Sequence, residues 1–69
     1  MEEIHTLVTA LTKRLLPGAA QKLHSAYVRL DQAEVTRICT RINTYDNNNQ
    51  NRQAARLIIT GIRLYHGNN

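Results

Sequence analysis

Residues Val28–Ile42 read VRLDQAEVTRICTRI, and this stretch decides how many helices the chain forms. A helix continuing through Leu30 would place its next apolar residue at position 34, but Glu34 stands there and the apolar series resumes one position later. Asp31 and Glu34 have the spacing of a capping box, in which an acidic N-cap accepts an orphaned amide and the glutamate reaches back. The pattern predicts a helix end near Leu30 and a new helix from Asp31. The alternative is one bent helix over residues 19–45.

Turn signals on either side of this break delimit the other helices. A first helix over residues 1–16 should end at Pro17-Gly18, because proline disfavours helical geometry in the residue before it and glycine permits a reversal. The third helix should run out at Tyr45. The polar run Asp46–Gln50 predicts a turn, with Asn49 or Asn51 as N-cap of a fourth helix. Gly67-Asn68-Asn69 predicts its C-terminal stop.

Each predicted helix carries one apolar stripe at spacings of three and four, which is the mark of a helix with one buried face. Such helices joined by short turns favour an antiparallel up-down bundle. The fold class is therefore all-α, with four helices, or three if the second and third are continuous. The stripes contain Ile4, Leu7, Val8, Leu11 and Leu15; Ala20, Leu23, Ala26, Tyr27 and Leu30; Val35, Ile38, Cys39, Ile42 and Tyr45; and Ala54, Ala55, Ile58, Ile62 and Tyr65.

The fourth helix has a wider apolar arc than the others, because Leu57 and Leu64 extend it beyond one stripe. Small domains gain burial by pairing. A homodimer or a tight protein partner is therefore expected. Gly61 should weaken this helix by about 1 kcal/mol relative to alanine, unless another backbone packs closely there.

Length and composition limit the protein to one small domain, residues 1–69. A lone cysteine, Cys39, excludes an internal disulfide and lacks the second thiol or paired histidines of a zinc site. No metal and no cofactor are expected. No apolar run approaches the roughly 18 residues of a membrane span, so a cytoplasmic location is expected, including a peripheral one at the inner membrane face.

Positive charge is concentrated in the second half of the chain. Residues 1–34 carry four cations and four anions, whereas the later residues have five arginines against Asp46 alone, so the formal net charge of +4 belongs to that half. Arginine suits bidentate contact with carboxylates or phosphates. We therefore predict that an acidic partner binds at Arg37, Arg41, Arg52, Arg56, Arg63 and Tyr65. A solvated helix face that serves solubility is the alternative.

Catalysis is not expected from this sequence. His5, His24 and His66 lie on three different segments, and Cys39 lies on an apolar stripe. Nucleophilic catalysis needs a cysteine with a histidine in reach, and a bundle of this size offers little concave volume for a substrate. The sequence predicts a protein that is not an enzyme.

The run AAQKLHSAYVRLDQ followed by VTRICTRINTY resembles the middle of the immunity proteins that protect producers of pediocin-like bacteriocins, typified by enterocin A immunity. The family's Arg-hydrophobic-Asn element corresponds to Arg41-Ile42-Asn43. The resemblance implies a basic antiparallel helical bundle inside the cell, acting with the mannose-type sugar transporter that the bacteriocin uses as receptor. The chain departs from the family in its short segment between the third and fourth helices and its short C-terminal tail.

Three function classes are consistent with these features. The first is a bacteriocin immunity-like interaction protein, whose partner would be a sugar-transporter and bacteriocin complex. The second is a small nucleic-acid-binding regulator, which would use the same arginines but lacks a recognition helix and an aromatic stacking platform. The third is a helical co-chaperone of a secretion system. The first is the prediction and the others are its alternatives.

Overall fold

The computed structural model describes residues 2–67, and the side chains of residues 3–65. It contains four helices, α1 (Glu2–Arg14), α2 (Pro17–Val28), α3 (Gln32–Tyr45) and α4 (Asn49–Gly67). No strand occurs among these residues. The all-α prediction with four helices is confirmed, and the continuous bent helix is wrong. The predicted helix start at Met1 and the stop at Asn68 and Asn69 lie outside the described residues.

The helices form a closed ring in chain order, with α1 against α2, α2 against α3, α3 against α4, and α4 back against α1. Neighbours run antiparallel. Near one end, Nδ1 of His5 in α1 lies 3.3 Å from the hydroxyl of Tyr27 at the end of α2. At the other end, Arg14 of α1 donates to Asn51 at the start of α4. The chain is therefore an up-down bundle, as the short turns predict.

All four stripes supply the core. Three predicted members, Leu30, Tyr45 and Tyr65, are exposed and lie at or near the ends of their helices, and a fourth, Ala20, is half-buried. Leu7, Leu15 and Tyr27 are half-buried at the margin, together with Ile59. The buried apolar residues are Ile4, Val8, Leu11, Leu23, Ala26, Val35, Ile38, Cys39, Ile42, Ala54, Ala55, Ile58 and Ile62.

A left-handed residue ends α2 and explains the slip in the apolar series. Leu30 has φ 60°, its N–H donates to the carbonyl of Tyr27, and the N–H of Asp31 donates to the carbonyl of Ala26. These two bonds make a Schellman motif, in which glycine usually occupies the left-handed position. The Asp31 carboxylate then caps α3 by accepting the N–H of Glu34 at 3.1 Å. Half of the predicted capping box is wrong, since the Glu34 side chain bonds forward to Arg37.

Replacing Leu30 with glycine should stabilise the protein. Because the leucine side chain is 80% exposed, its loss removes little burial, while a non-glycine residue in the left-handed region costs about 1–2 kcal/mol. Leu30→Ala is the matched control, because it removes the same side chain and keeps the strain. In urea unfolding, the free energy of unfolding of Leu30→Gly should be about 1 kcal/mol higher than that of Leu30→Ala. Equal midpoints for the two variants would contradict this explanation of the helix end.

Asn48 is the N-cap of α4, so the predicted caps, Asn49 and Asn51, are wrong. The Asn48 side-chain oxygen accepts the N–H groups of Gln50 at 2.8 Å and Asn51 at 3.1 Å. Asp46 fixes the turn before it, because its carboxylate accepts the N–H of Asn48 at 2.7 Å. The side chains of Asn48, Asn49 and Asn51 all have suitable chemistry for a cap. The choice depends on Asn51, which is needed inside the bundle.

Gly61 of α4 lies in close contact with Ile4 of α1. A Cβ placed there would lie 3.0 Å from Cγ1 and 3.1 Å from Cδ1 of Ile4. The close neighbour is therefore a side chain and not the backbone that the sequence suggested. Glycine in mid-helix costs about 1 kcal/mol in helix propensity, and this cost allows Ile4 to pack against the helix itself.

Candidate protein-binding interface

The two arginines of α3 have different surroundings. Arg37 is paired with Glu34, with Nε 2.6 Å and one terminal nitrogen 2.8 Å from the two carboxylate oxygens. This hydrogen-bonded contact lowers the pKa of the Glu34 carboxyl and raises the pKa of Arg37. Arg41 is exposed, and its guanidinium carbon lies 5.7 Å from the centre of the Tyr45 ring. Of the two, Arg41 is the one that forms no ion pair with a described carboxylate.

On α4, the arginines also divide by their contacts. Arg52 is half-buried and holds the turn before its own helix, donating to the Asp46 carbonyl at 2.7 Å and to the Asn49 side chain at 3.3 Å. Arg56 and Arg63 are exposed, and neither forms an ion pair within the described part of the chain. Among the predicted partner-binding residues, Arg37 and Arg52 are thus already engaged within the chain. Tyr65 lies exposed near the end of the same helix.

A basic groove brings together cations that are far apart in the sequence. We define it by Arg14 at the end of α1, Lys22 on α2, and Arg37 and Arg41 on α3, which line an open concavity of about 770 Å³. The sequence prediction missed Arg14 and Lys22, because their approach to α3 depends on the antiparallel packing of α2. Arg56 and Arg63 do not line this groove. The unpaired arginines of α3 and α4 therefore lie on two separate surfaces.

The only carboxylate that lines the basic groove, within the described residues, is Asp46. One of its oxygens accepts the Asn48 N–H, and the other accepts Nδ2 of Asn51 at 3.2 Å. Both oxygens therefore accept hydrogen bonds within the turn, and Asp46 forms no ion pair with the groove cations.

Asn51 connects α1, the α3–α4 turn and α4. It is the one buried polar side chain found among the described residues, with 5% of its surface exposed. Its Oδ1 accepts Nε of Arg14 at 3.1 Å, and its Nδ2 donates to Asp46. This arrangement holds the end of α1 against the start of α4 and fixes one wall of the basic groove.

A second concavity lies between α1 and α4 and is apolar. Leu7 from α1 and Leu57 and Leu64 from α4 line it beside Gly61. Leu57 and Leu64 are seven residues apart on one helix face, and both are exposed. The wide apolar arc expected for the fourth helix is therefore present on the surface of the monomer.

Cys39 is fully buried in α3, and this burial raises the pKa of its thiol to about 12. Since the thiolate is the reactive form, the folded protein should resist alkylation at neutral pH. We expect iodoacetamide labelling to follow the unfolding curve in urea, with essentially no reaction in its absence. Rapid labelling of the native protein at pH 8, while circular dichroism stays unchanged, would show that the thiol is accessible.

The described residues form no cluster of three or more histidine, cysteine, aspartate or glutamate side chains that could hold a metal ion. None of the four helices, as far as they are described, has the length and apolar character needed to cross a bilayer. No protein-family model, curated protein or solved structure matches the chain. The geometry of its own residues is therefore the basis for assigning a function.

Proposed function

We propose that this chain is a non-enzymatic interaction protein that docks on an acidic protein partner through its arginine surfaces. The observation that carries the proposal is the set of exposed arginines Arg41, Arg56 and Arg63, which have no ion pair with any described residue. Unbalanced charge of one sign steers association with a partner of the opposite sign and fixes its orientation.

A protein surface suits these arginines better than nucleic acid does. Exposed apolar side chains lie beside the cations, with Tyr45 under Arg41 and Leu16 on the wall of the basic groove. Phosphate contacts come from cations, hydroxyl and amide groups and backbone N–H groups, whereas the core of a protein interface combines arginine with aromatic and apolar anchors. Nucleic-acid binding by the same arginines is the alternative that the experiments below must distinguish.

The specific role that we propose is bacteriocin immunity, acting on a sugar-transporter and bacteriocin complex at the inner face of the membrane. The two segments that resemble the immunity family are α2 and α3, and they pack side by side in the bundle. In the Arg41-Ile42-Asn43 element, Arg41 is exposed and Ile42 is buried. One face of the element thus builds the core while the other stays available to a partner. Because a fold hosts many functions, the proposal rests on this surface and on the resemblance.

Protection of sensitive cells is the direct test. We expect the wild-type chain, expressed in a strain sensitive to a pediocin-like bacteriocin, to raise survival, and Arg56→Gln/Arg63→Gln to lose that effect while keeping its helicity. Arg52 is left unchanged because it holds the turn before α4. Lys13→Gln/Arg29→Gln is the control, since it removes the same charge from exposed positions elsewhere and should still protect.

Two outcomes would overturn the proposal. No protection by the wild-type chain against any pediocin-like bacteriocin tested would remove the immunity role. Submicromolar binding of DNA or RNA that weakens steeply with salt would instead show that the arginines bind phosphates. In that case each Arg→Gln change should reduce the slope of log K against log salt by about one unit.

The same proposal includes self-association through the apolar groove between α1 and α4. Leu57→Ser/Leu64→Ser should convert a dimer to a monomer in sedimentation experiments, because both side chains are exposed in the single chain. A single monomeric mass for the wild-type chain at high concentration would exclude the homodimer and leave the groove to a different partner.

A further inference from the structure

The basic groove combines three features that a charged helix face alone does not have. It is concave, with a volume of about 770 Å³, which is within the range of ligand-binding clefts. It has cations on both sides, with Lys22 on α2 facing Arg37 and Arg41 on α3. From Arg37 to Tyr45 it follows about 12 Å of helix α3. A ligand in this groove would meet positive charge along its length.

The charge that remains available in the groove belongs mainly to Lys22 and Arg41. Glu34 already pairs with Arg37, and Asn51 already holds Arg14 by one bond. Neither Lys22 nor Arg41 forms an ion pair with a described carboxylate, although Lys22 is near enough to Glu34 to help lower the pKa of that carboxyl. An occupant of the groove therefore needs at least two negative groups, one for each helix.

The groove also presents apolar surface at its open end. Leu16 is 80% exposed and Tyr45 is 72% exposed, and both line the groove. Gly18 also lines the groove and has no atom within 4 Å of the position of a Cβ. Exposed apolar residues scattered singly need no explanation, but here two share one concavity with space for a further side chain.

We propose that the basic groove binds an acidic peptide segment of a protein partner, with carboxylates against Lys22 and Arg41 and an apolar anchor residue beside Leu16 and Tyr45. This inference rests on the proposed function and names the surface that grips the partner. Free phosphate would satisfy the cations but leave the apolar end in water. An extended peptide of about four residues covers 12 Å and supplies both kinds of contact.

The test uses a fluorescein-labelled peptide in which pairs of glutamates alternate with single leucines, titrated with the full chain and followed by anisotropy. We expect Lys22→Gln/Arg41→Gln to raise Kd about fivefold or more, since exposed ion pairs are individually weak but act together. Leu16→Ser should weaken binding while leaving its salt dependence unchanged. Arg56→Gln/Arg63→Gln and Lys13→Gln/Arg29→Gln remove equal charge outside the groove and should leave Kd unchanged.

Control peptides and mapping identify the contacts. A peptide with glutamine in place of glutamate should lose binding, and one with serine in place of leucine should bind more weakly. Amide NMR shifts should change around Gly18, Lys22 and Arg41. The inference is overturned if all three charge-matched variants bind equally, if the glutamine peptide binds as tightly, or if a single-stranded oligonucleotide occupies the groove more tightly than the peptide.

The peptide titration and the cell-protection assay can fail independently of each other. If Arg56→Gln/Arg63→Gln abolishes cell protection while Lys22→Gln/Arg41→Gln preserves it, the protein is an interaction protein that does not use the groove. If the wild-type chain gives no protection, the immunity role fails, and the peptide titration still decides whether the groove is a binding site.

Discussion

Replacing Leu11 with alanine should lower the free energy of unfolding by about 3–5 kcal/mol and leave much of the protein unfolded at room temperature. Leu11 has no exposed surface and lies in the core of α1. Its truncation removes apolar burial and leaves a cavity that close-packed neighbours fill only partly. A single core of this size supplies only about 3–5 kcal/mol in total, so one such loss is comparable with the whole stability.

Leu16→Ala is the matched control, because the same change is made at a leucine that is 80% exposed. It should shift stability by less than about 0.5 kcal/mol. Urea unfolding followed by circular dichroism measures both variants. Similar midpoints for the two would show that the buried face of α1 has been assigned wrongly.

The second large effect is expected at Asn51. Asn51→Ala should cost about 2–3 kcal/mol, because it removes the acceptor for Arg14 and the donor to Asp46 at a residue with only 5% of its surface exposed. The loss should appear as a lower thermal midpoint and as faster amide exchange at the end of α1 and the start of α4. Stability within 0.5 kcal/mol of wild type would show that water replaces these bonds readily.

Asn51→Asp separates the shape of the side chain from its hydrogen bonding. The new carboxylate keeps the bond from Arg14 but faces the Asp46 carboxylate, whose oxygen accepts from Asn51 in the wild type. Burial and a like charge raise the pKa of a carboxyl in the folded state. A raised pKa means that the folded state binds the proton more tightly than the unfolded state does. The variant should therefore have a lower free energy of unfolding than the wild type at neutral pH, and this deficit should shrink as pH falls towards about 4. A deficit independent of pH would contradict the assigned contact.

The elements of this fold are largely predictable from the sequence, because each boundary depends on local chemistry. Asp31 at the required spacing from Glu34 marks the start of α3. Pro17-Gly18 is predicted as the turn after α1, whereas the structure has both residues in the first turn of α2, where proline is well tolerated. Periodicity places Leu30 on the buried stripe, because it does not reveal a left-handed helix end and glycine, its usual signal, is absent there. It places Tyr45 there as well, although Tyr45 is the last residue of α3 and is exposed.

The site is less predictable, because its charges are set by contacts between elements. The Glu34–Arg37 pair is readable from the sequence, because residues three apart on a helix are neighbours, whereas the contact of Arg52 with the turn before α4 is not. Lys22 belongs to the neutral half of the chain and becomes part of a basic surface only when α2 packs against α3. Counting charges along the sequence predicts that a basic surface exists. Which residues form it depends on how the helices pack against each other.

The contact between Ile4 and Gly61 makes these two positions a coupled pair in the evolution of this chain. Alanine at 61 gains helix propensity worth about 1 kcal/mol, but its Cβ would lie 3.0 Å from Ile4, whose side chain must then shift slightly. A smaller residue at position 4 removes this contact and leaves space that a Cβ at 61 would fill. We therefore expect the effects of Gly61→Ala and Ile4→Val on stability to depend on each other, and a homologue with alanine at 61 should carry a side chain smaller than isoleucine at position 4.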